Sequence, residues 1–420
     1  MLLELRVENY RCFAGEQALL MSASKDDELA QNVHGEDSAH GFRLLKSAVL
    51  YGPNGGGKST LIRAAALMQH LVVDSASHYQ AEDPLPIEPF RLDPELASKP
   101  SRFEITFLHE GVRYQYGFSA DSARVHEEWL LAFPGGRAQT WFQRSEQGWH
   151  FGPNLKGEKQ RITDLTRPNA LFLSVAASLN QKQLSTVYAW FRNRLRIVAD
   201  LPWPRRGVTM GEFTVRQASH DDAFKERIVE LLRAVDVGIE DLTVERRTLE
   251  ESDLPDDLQP AMRKQLMSSE LELFRVHTLH RAQDGTPVWF DLADESAGTQ
   301  ALFELLGPWL DTVEAGLVVL VDGVFSNLHP MLTRHLLTWF HITPRTSNAP
   351  AQVVMTTHDT SLLDRELLRR DQIWLLEKNA AGAAQLYPLL DYKPRKDEAL
   401  QRGYLLGRYG GLPFLGERDR

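Results

Sequence analysis

The feature that most constrains this chain is the run Gly52-Pro53-Asn54-Gly55-Gly56-Gly57-Lys58-Ser59, which fits the pattern G-x-x-x-x-G-K-[ST]. Its surroundings matter as much as its letters. Leu45 to Tyr51 reads as a short buried strand, and Ser59 to Leu71 reads as a helix that opens where the glycines end. Strand, glycine turn and helix together make a phosphate cradle. The glycines let the backbone wrap closely, so that several N–H groups point inward, and the helix N-terminus adds partial positive charge. In such a P-loop Lys58 reaches the β- and γ-phosphates and the Ser59 hydroxyl ligates the metal, with Thr60 continuing the phosphate-facing set. The expected cofactors are therefore ATP and Mg2+.

The rest of the chain reads as α/β. Residues 2–8 alternate with period two, as a strand does, and Asn9-Tyr10-Arg11-Cys12-Phe13 turns the chain. Residues 15–45 are polar and irregular, and an exposed loop is expected there. Phe103–Phe107 and Val112–Phe118 alternate like antiparallel strands joined across Glu110-Gly111. Candidate helices cover Gln181–Arg196 and Ala223–Val235, with Pro202-Trp203-Pro204 and Leu254-Pro255 as boundaries. Strands are expected at Glu270–His280, Val288–Asp291, 316–322, Gln352–Thr357 and Gln372–Leu376, with helices near 298–313 and 331–340.

Composition excludes several classes. Cys12 is the only cysteine, so neither an internal disulfide nor a cysteine-based zinc site can form, which suits a reducing cytosol. Met1–Glu8 lacks the apolar stretch of a signal peptide. Apolar runs such as Leu317–Val321 fall far short of the roughly 20 residues that span a bilayer. A cytoplasmic protein without membrane contact is expected. The net charge of −10 argues against wholesale coating of nucleic acid but leaves a local basic patch open. Arg192, Arg194, Arg196, Arg205 and Arg206, with Trp190 and Trp203, are the candidates. They form either a phosphate-backbone contact or a solvated helix face beside two core tryptophans. No nucleophile or metal constellation stands out between 120 and 285. His126-Glu127-Glu128 comes nearest and reads as an exposed polar turn.

A phosphate loop needs an acidic partner for its magnesium, normally at the C-terminal end of a buried strand. Gly316–Asp322 has that shape. Three further segments follow in order: Asp294-Glu295-Ser296-Ala297-Gly298-Thr299-Gln300, Asp322–Pro330 and Val354–Asp359. With the P-loop they resemble, respectively, the signature loop, the Walker B strand with its D-loop, and the switch-histidine strand of ABC-type ATPases in their SMC-like form. Asn9–Phe13 resembles the end of that family's first strand. Asp371-Gln372-Ile373-Trp374 and Arg395–Gly410 resemble the tail of AAA-family ATPases from abortive-infection, retron and Septu phage-defence modules. The resemblance is clear over about 1–118 and 286–412.

The resemblance implies an α/β fold of the P-loop NTPase ABC/SMC-like head type, with a mixed sheet core, an antiparallel β subdomain and a compact α/β insertion. Its parts would be an N-terminal ATPase lobe (1–118), an insertion (119–285), a C-terminal ATPase lobe (286–390) and a tail (391–420). No heptads lie between Lys58 and Ser296, so a long coiled coil is not expected. Two ATP sites would be shared across a head-to-head homodimer or higher oligomer. Ser296 and Gly298 of one subunit would close over the γ-phosphate held by the other, and His358 would sense that phosphate. Taken singly, Ser296 also reads as a helix N-cap and His358 as a plain strand-end residue.

One position departs from the family. The glutamate that follows the Walker B aspartate and activates water is here Gly323. Losing such a group costs on the order of 10²–10⁴ in rate, so slow or absent hydrolysis is expected unless Glu295 or Asp359 takes its place. No glutamine stands between Pro86 and Asp93 to supply the family's Q-loop. The functional expectation is a sensor or regulatory subunit of a bacterial antiphage complex. Its partner would be an effector, a nuclease or toxin encoded alongside, with DNA or RNA as a further contact. The competing readings are a RecF/SMC-like DNA-repair ATPase that clamps DNA and, less in keeping with the signature loop, a transporter's nucleotide-binding subunit.

Overall fold

The computed structural model describes residues 1–34, 41–199, 201, 209–235, 238–254, 258–268, 272–323, 328–342, 350–395 and 398–413. The chain forms two units. The first comprises 1–202, 312–326 and 333–420, and the second 203–311 and 327–332.

The first unit holds two sheets. One has six strands in the order Leu195–Val198, Val318–Val321, Gln352–Thr356, Ser47–Tyr51, Ile373–Lys378, Ala384–Pro388. The first five run parallel and the last is antiparallel. Strands buried on both faces need apolar residues throughout. Ser47–Tyr51, Val318–Val321 and Gln352–Thr356 are buried at every position. In register, Val321 lies beside Met355 and Met355 beside Val49, so Asp322, Thr357 and Gly52 all emerge at the sheet's C-terminal edge. Ligands of open parallel sheets bind at that edge.

The other sheet has seven antiparallel strands in the order Gly148–Phe151, Gln139–Ser145, Val125–Phe133, Val112–Ala120, Ser101–His109, Leu2–Glu8, Gln17–Leu20. The hairpin expected at Glu110-Gly111 is present. Both residues have positive φ (48° and 73°), as a two-residue turn matching the strand twist requires. Buried Gln352 ties the sheets together. Its Oε1 accepts from Leu2 N (2.6 Å), and its Nε2 donates to Leu2 O (3.1 Å) and Leu45 O (3.0 Å). Aromatic packing fills the core, with the Trp190 ring stacked on Phe107 at 4.0 Å.

The helix expected over Gln181–Arg196 ends at Asn193, because Leu195–Val198 pairs as a strand with Val318–Val321. Two further expectations need correction. Residues 15–45 are not simply an exposed loop. Gln17–Leu20 pairs with Leu2–Glu8 because Leu19 and Met21 can bury themselves. Asn32 is also buried, and donates to Leu367 O (2.9 Å) and Gln372 Oε1 (2.8 Å). Nor is His126-Glu127-Glu128 a turn. It lies within strand Val125–Phe133, and Glu128 is fully buried. Its carboxylate accepts from Phe172 N (2.6 Å), Leu173 N (3.0 Å) and Tyr116 Oη (2.9 Å). Buried polar groups persist when they are satisfied in this way.

The second unit contains a three-stranded antiparallel sheet of Asp241–Thr248, Glu272–Arg281 and Pro287–Asp291. Helices Met210–His220 and Asp222–Ala234 pack beside it. Helix Ala297–Ala315 begins in this unit. Among the described residues, no helix is long and apolar enough to cross a membrane.

Candidate functional site

The P-loop sits between strand Ser47–Tyr51 and helix Lys58–Asp74. Two of its glycines are there for steric reasons. A Cβ on Gly52 would stand 2.4 Å from Leu376 O. At Gly57, where φ is 110°, a Cβ would meet Ala384, Cys12 and Phe13 at 3.0–3.2 Å. The helix start has no side-chain cap and no acidic residue in its first turn. Its first N–H groups are therefore free of the internal partner that a helix start otherwise finds, which favours an anion.

Lys58 is buried, with its Nζ folded onto the loop: it donates to Gly52 O (2.7 Å) and Pro53 O (3.1 Å). Burial pulls its pKa down to about 8, partly offset by the Asp322 carboxylate. A cavity of about 550 Å³ opens over the loop. It is lined by Pro53–Thr60, Asp322, Gly323, Thr356, Thr357 and His358. Of the expected site residues in this unit, all except Gly52 line that cavity. Gly52 lines an adjoining one with Pro53, Asn54, Gly56 and His358.

Thr356 organises the acidic end. Its Oγ1 donates to Asp322 Oδ1 (2.7 Å) and accepts from Gly323 N (3.0 Å). Gly323 itself has a φ of 70°, in the left-handed region where glycine is favoured. Partial burial, and then the Lys58 charge, lower the pKa of His358.

The donors Ser59 and Asp322 are hard oxygen groups of the kind Mg2+ takes from a protein that leaves its other positions to water and phosphate. Among the described residues no group of three or more His, Cys, Asp or Glu side chains could hold a metal by itself.

Sequence reasoning missed the opposite wall, formed by Arg11, Cys12, Glu88–Leu92, Lys378 and Gly382. The turn Asn9–Phe13 carries it. Arg11 N donates to Glu88 O (2.8 Å), and Asn9 Oδ1 accepts from Phe90 N (3.1 Å). The segment Pro86–Asp93, which carries no glutamine, thus reaches the cavity with other residues, Glu88 and Arg91 among them. No local pattern signals this, because it depends on contacts some 80 positions apart.

Of the two carboxylates considered as replacements at Gly323, Glu295 lies in the second unit, with its Oε1 shared by Thr278 Oγ1 (2.5 Å) and His280 Nε2 (2.7 Å). Asp359 Oδ1 accepts from Ser361 N (2.9 Å), while its buried Oδ2 has no hydrogen-bond partner among the described residues. Ser296 and Gly298 also belong to the second unit. There Ser296 Oγ accepts from Thr299 N (3.1 Å), as a helix cap does.

Trp190 is a core residue, and Arg194 Nη1 donates to Ala315 O (2.5 Å). Pro202–Arg206, Pro255, Val324–Asn327 of the D-loop-like segment, and Lys396-Asp397 lie outside the described residues.

No curated protein matches the chain significantly. Among solved structures, the SMC head domain from Thermotoga maritima is 12% identical, with a TM-score of 0.41 over 92% of this chain and 98% of that one. The structure of the recombination mediator protein RecF with ATP is 14% identical, with a TM-score of 0.34 over 86% of this chain and 94% of that one. A family model described as "AAA domain, putative AbiEii toxin, Type IV TA system" matches residues 47–364, more than half of the chain, and the chain therefore belongs to that AAA ATPase family.

Proposed function

We propose that this chain is an ATP-binding regulatory subunit of a bacterial antiphage defence complex, in which nucleotide occupancy rather than rapid turnover is the signal. The observation that carries this reading is the composition of the cavity. It gathers the phosphate loop, Lys58, Asp322 and His358, yet the position after Asp322 is Gly323. Phosphate-binding groups line the cavity, while glycine stands where the family carries its water-activating carboxylate.

In this reading ATP displaces Lys58 Nζ from the Gly52 and Pro53 carbonyls, and the ammonium pairs with β- and γ-phosphate oxygens. Gly52–Thr60 wrap the phosphates. Ser59 and Asp322 hold Mg2+, with Thr356 orienting the Asp322 carboxylate. His358 hydrogen-bonds the γ-phosphate. Ser296 and Gly298 of a second copy close the site, so that ATP stabilises a head-to-head dimer by its differential affinity for the closed state. The partner in this reading is an effector, a nuclease or toxin, in keeping with a family described by a toxin–antitoxin system.

The test is a side-by-side measurement of ATP–Mg2+ binding and of phosphate release, with Lys58→Ala as the control. Magnesium-dependent binding that Lys58→Ala abolishes, with turnover far below about 1 s⁻¹, the low end of ordinary enzymes, supports the reading. No detectable binding by the unmodified chain would sink it.

A further inference from the structure

The C-terminal segment lies outside the phosphate cradle, yet it touches the end of strand Ser47–Tyr51 and the chain just beyond His358. Helix Leu400–Leu405 buries Tyr404, whose ring centroid stands 5.8 Å from that of Tyr51. Tyr51 is fully buried and directly precedes Gly52. Its hydroxyl donates to the carbonyl of Asp359, the residue after His358, at 3.2 Å. Gln401 Nε2 donates to Thr360 Oγ1, also at 3.2 Å. One short helix therefore meets the last residue before the P-loop and the chain just beyond His358.

The segment is held in place by a closed turn of its own. Tyr404 Oη donates to Gly411 O (2.8 Å), Gly411 N donates to Glu377 Oε2 (3.0 Å), and Tyr387 Oη donates to Tyr409 O (3.2 Å). Gly403 has no room for a side chain, since a Cβ would stand 2.7 Å from the Tyr409 ring. Tyr404 and Leu405 line a cavity of about 640 Å³ together with Asn54, His358 and Lys378.

We propose that Tyr404 and Gln401 are positioning residues for the nucleotide site. Tyr404 sets the entrance to the P-loop through Tyr51, and Gln401 sets the His358–Thr360 segment, so ATP affinity depends on the docked C-terminal helix. This rests on the reading that Gly52–Thr60 bind ATP. Neither residue lines the cavity over the phosphate loop; both act through neighbours that adjoin it. Such coupling is reciprocal. If the docked helix strengthens ATP binding, ATP strengthens docking by the same factor, and couplings of this kind typically amount to about 5–150-fold. A tail that served only to stabilise the fold would change the unfolding midpoint and leave nucleotide affinity alone.

The experiment uses the full chain. ATP–Mg2+ affinity is measured for the unmodified protein, Tyr404→Ala, Tyr404→Phe and Gln401→Ala, beside their unfolding midpoints. Hydrogen exchange is followed at Gly403, Leu406 and Arg408, whose amides bond within the segment, with and without ATP. Tyr404→Ala is expected to weaken ATP binding by about tenfold, while Tyr404→Phe, which keeps the ring against Tyr51, stays within about twofold. Bound ATP is expected to slow exchange at those three amides, and Lys58→Ala to abolish the response. A folded Tyr404→Ala that binds ATP normally, or amides indifferent to bound ATP, overturns the proposal while leaving ATP binding intact. If Tyr404→Ala does not fold, the exchange measurement alone decides. An unmodified chain that binds no ATP overturns this proposal and the functional reading together.

Discussion

Replacing Gly323 with glutamate sets two calculable effects against each other. Gly323 has a φ of 70°, where a side chain costs roughly 1–2 kcal/mol. The backbone cannot relax freely to relieve this, because Gly323 N donates to Thr356 Oγ1 (3.0 Å), which itself donates to Asp322 Oδ1 (2.7 Å). Rotating the peptide would loosen the carboxylate assigned to magnesium. Against that cost, a positioned general base contributes about 10²–10⁴ in rate, or about 3–5 kcal/mol off the barrier. The strain is present in the free and the nucleotide-bound protein alike, so it lowers stability without consuming the catalytic gain. The assay is single-turnover phosphate release at saturating ATP–Mg2+, run with denaturant unfolding. Gly323→Ala serves as the variant that carries the strain without the carboxylate. Both variants should lose roughly 1–2 kcal/mol of stability, and only Gly323→Glu should gain rate, by at least about 100-fold. Brisk turnover by the unmodified protein, abolished in Lys58→Ala, would refute the reasoning. It would direct attention to Asp359, whose buried Oδ2 has no hydrogen-bond partner among the described residues.

Three further outcomes are expected. Thr356→Val removes the hydroxyl that orients Asp322 and should weaken magnesium-dependent ATP binding by roughly 10- to 150-fold, from the roughly 1.5–3 kcal/mol of a hydrogen bond to a charged group; unchanged magnesium dependence would contradict the role given to Asp322. Ser296→Ala should abolish ATP-dependent dimerisation while the monomer still binds ATP, checked by light scattering beside a binding titration; an ATP-induced dimer of normal affinity would remove Ser296 from the shared site. Burial holds the Glu128 carboxyl above its ordinary value despite Arg144 and three donors. A raised carboxyl contributes stability that is fully present below its unfolded pKa and is lost as pH rises through the folded one. Glu128→Gln does not titrate, so its stability relative to the unmodified chain should improve as pH rises from about 4 towards neutrality. Parallel denaturation midpoints across that range would show that burial does not dominate at Glu128.

The sequence by itself determined the parts whose chemistry is local. The P-loop declares itself because a phosphate cradle needs glycines, a lysine and a hydroxyl at adjacent positions, between a strand and a helix. The buried parallel strands show as unbroken apolar runs because both their faces are covered. The Asp322 and His358 segments are legible because each follows such a run. Tertiary structure decided whatever depends on distant partners. Glu128 looked like an exposed turn because three charged or polar letters in a row do not reveal that Phe172, Leu173 and Tyr116 supply three donors. Arg11, Glu88 and Lys378 reach one cavity from three separate stretches of chain. No spacing predicts that convergence, because it follows from how the two sheets meet. The same holds for Tyr404: its ring lies against Tyr51, 353 positions away in a 420-residue chain, and only the packed sheet brings the two together.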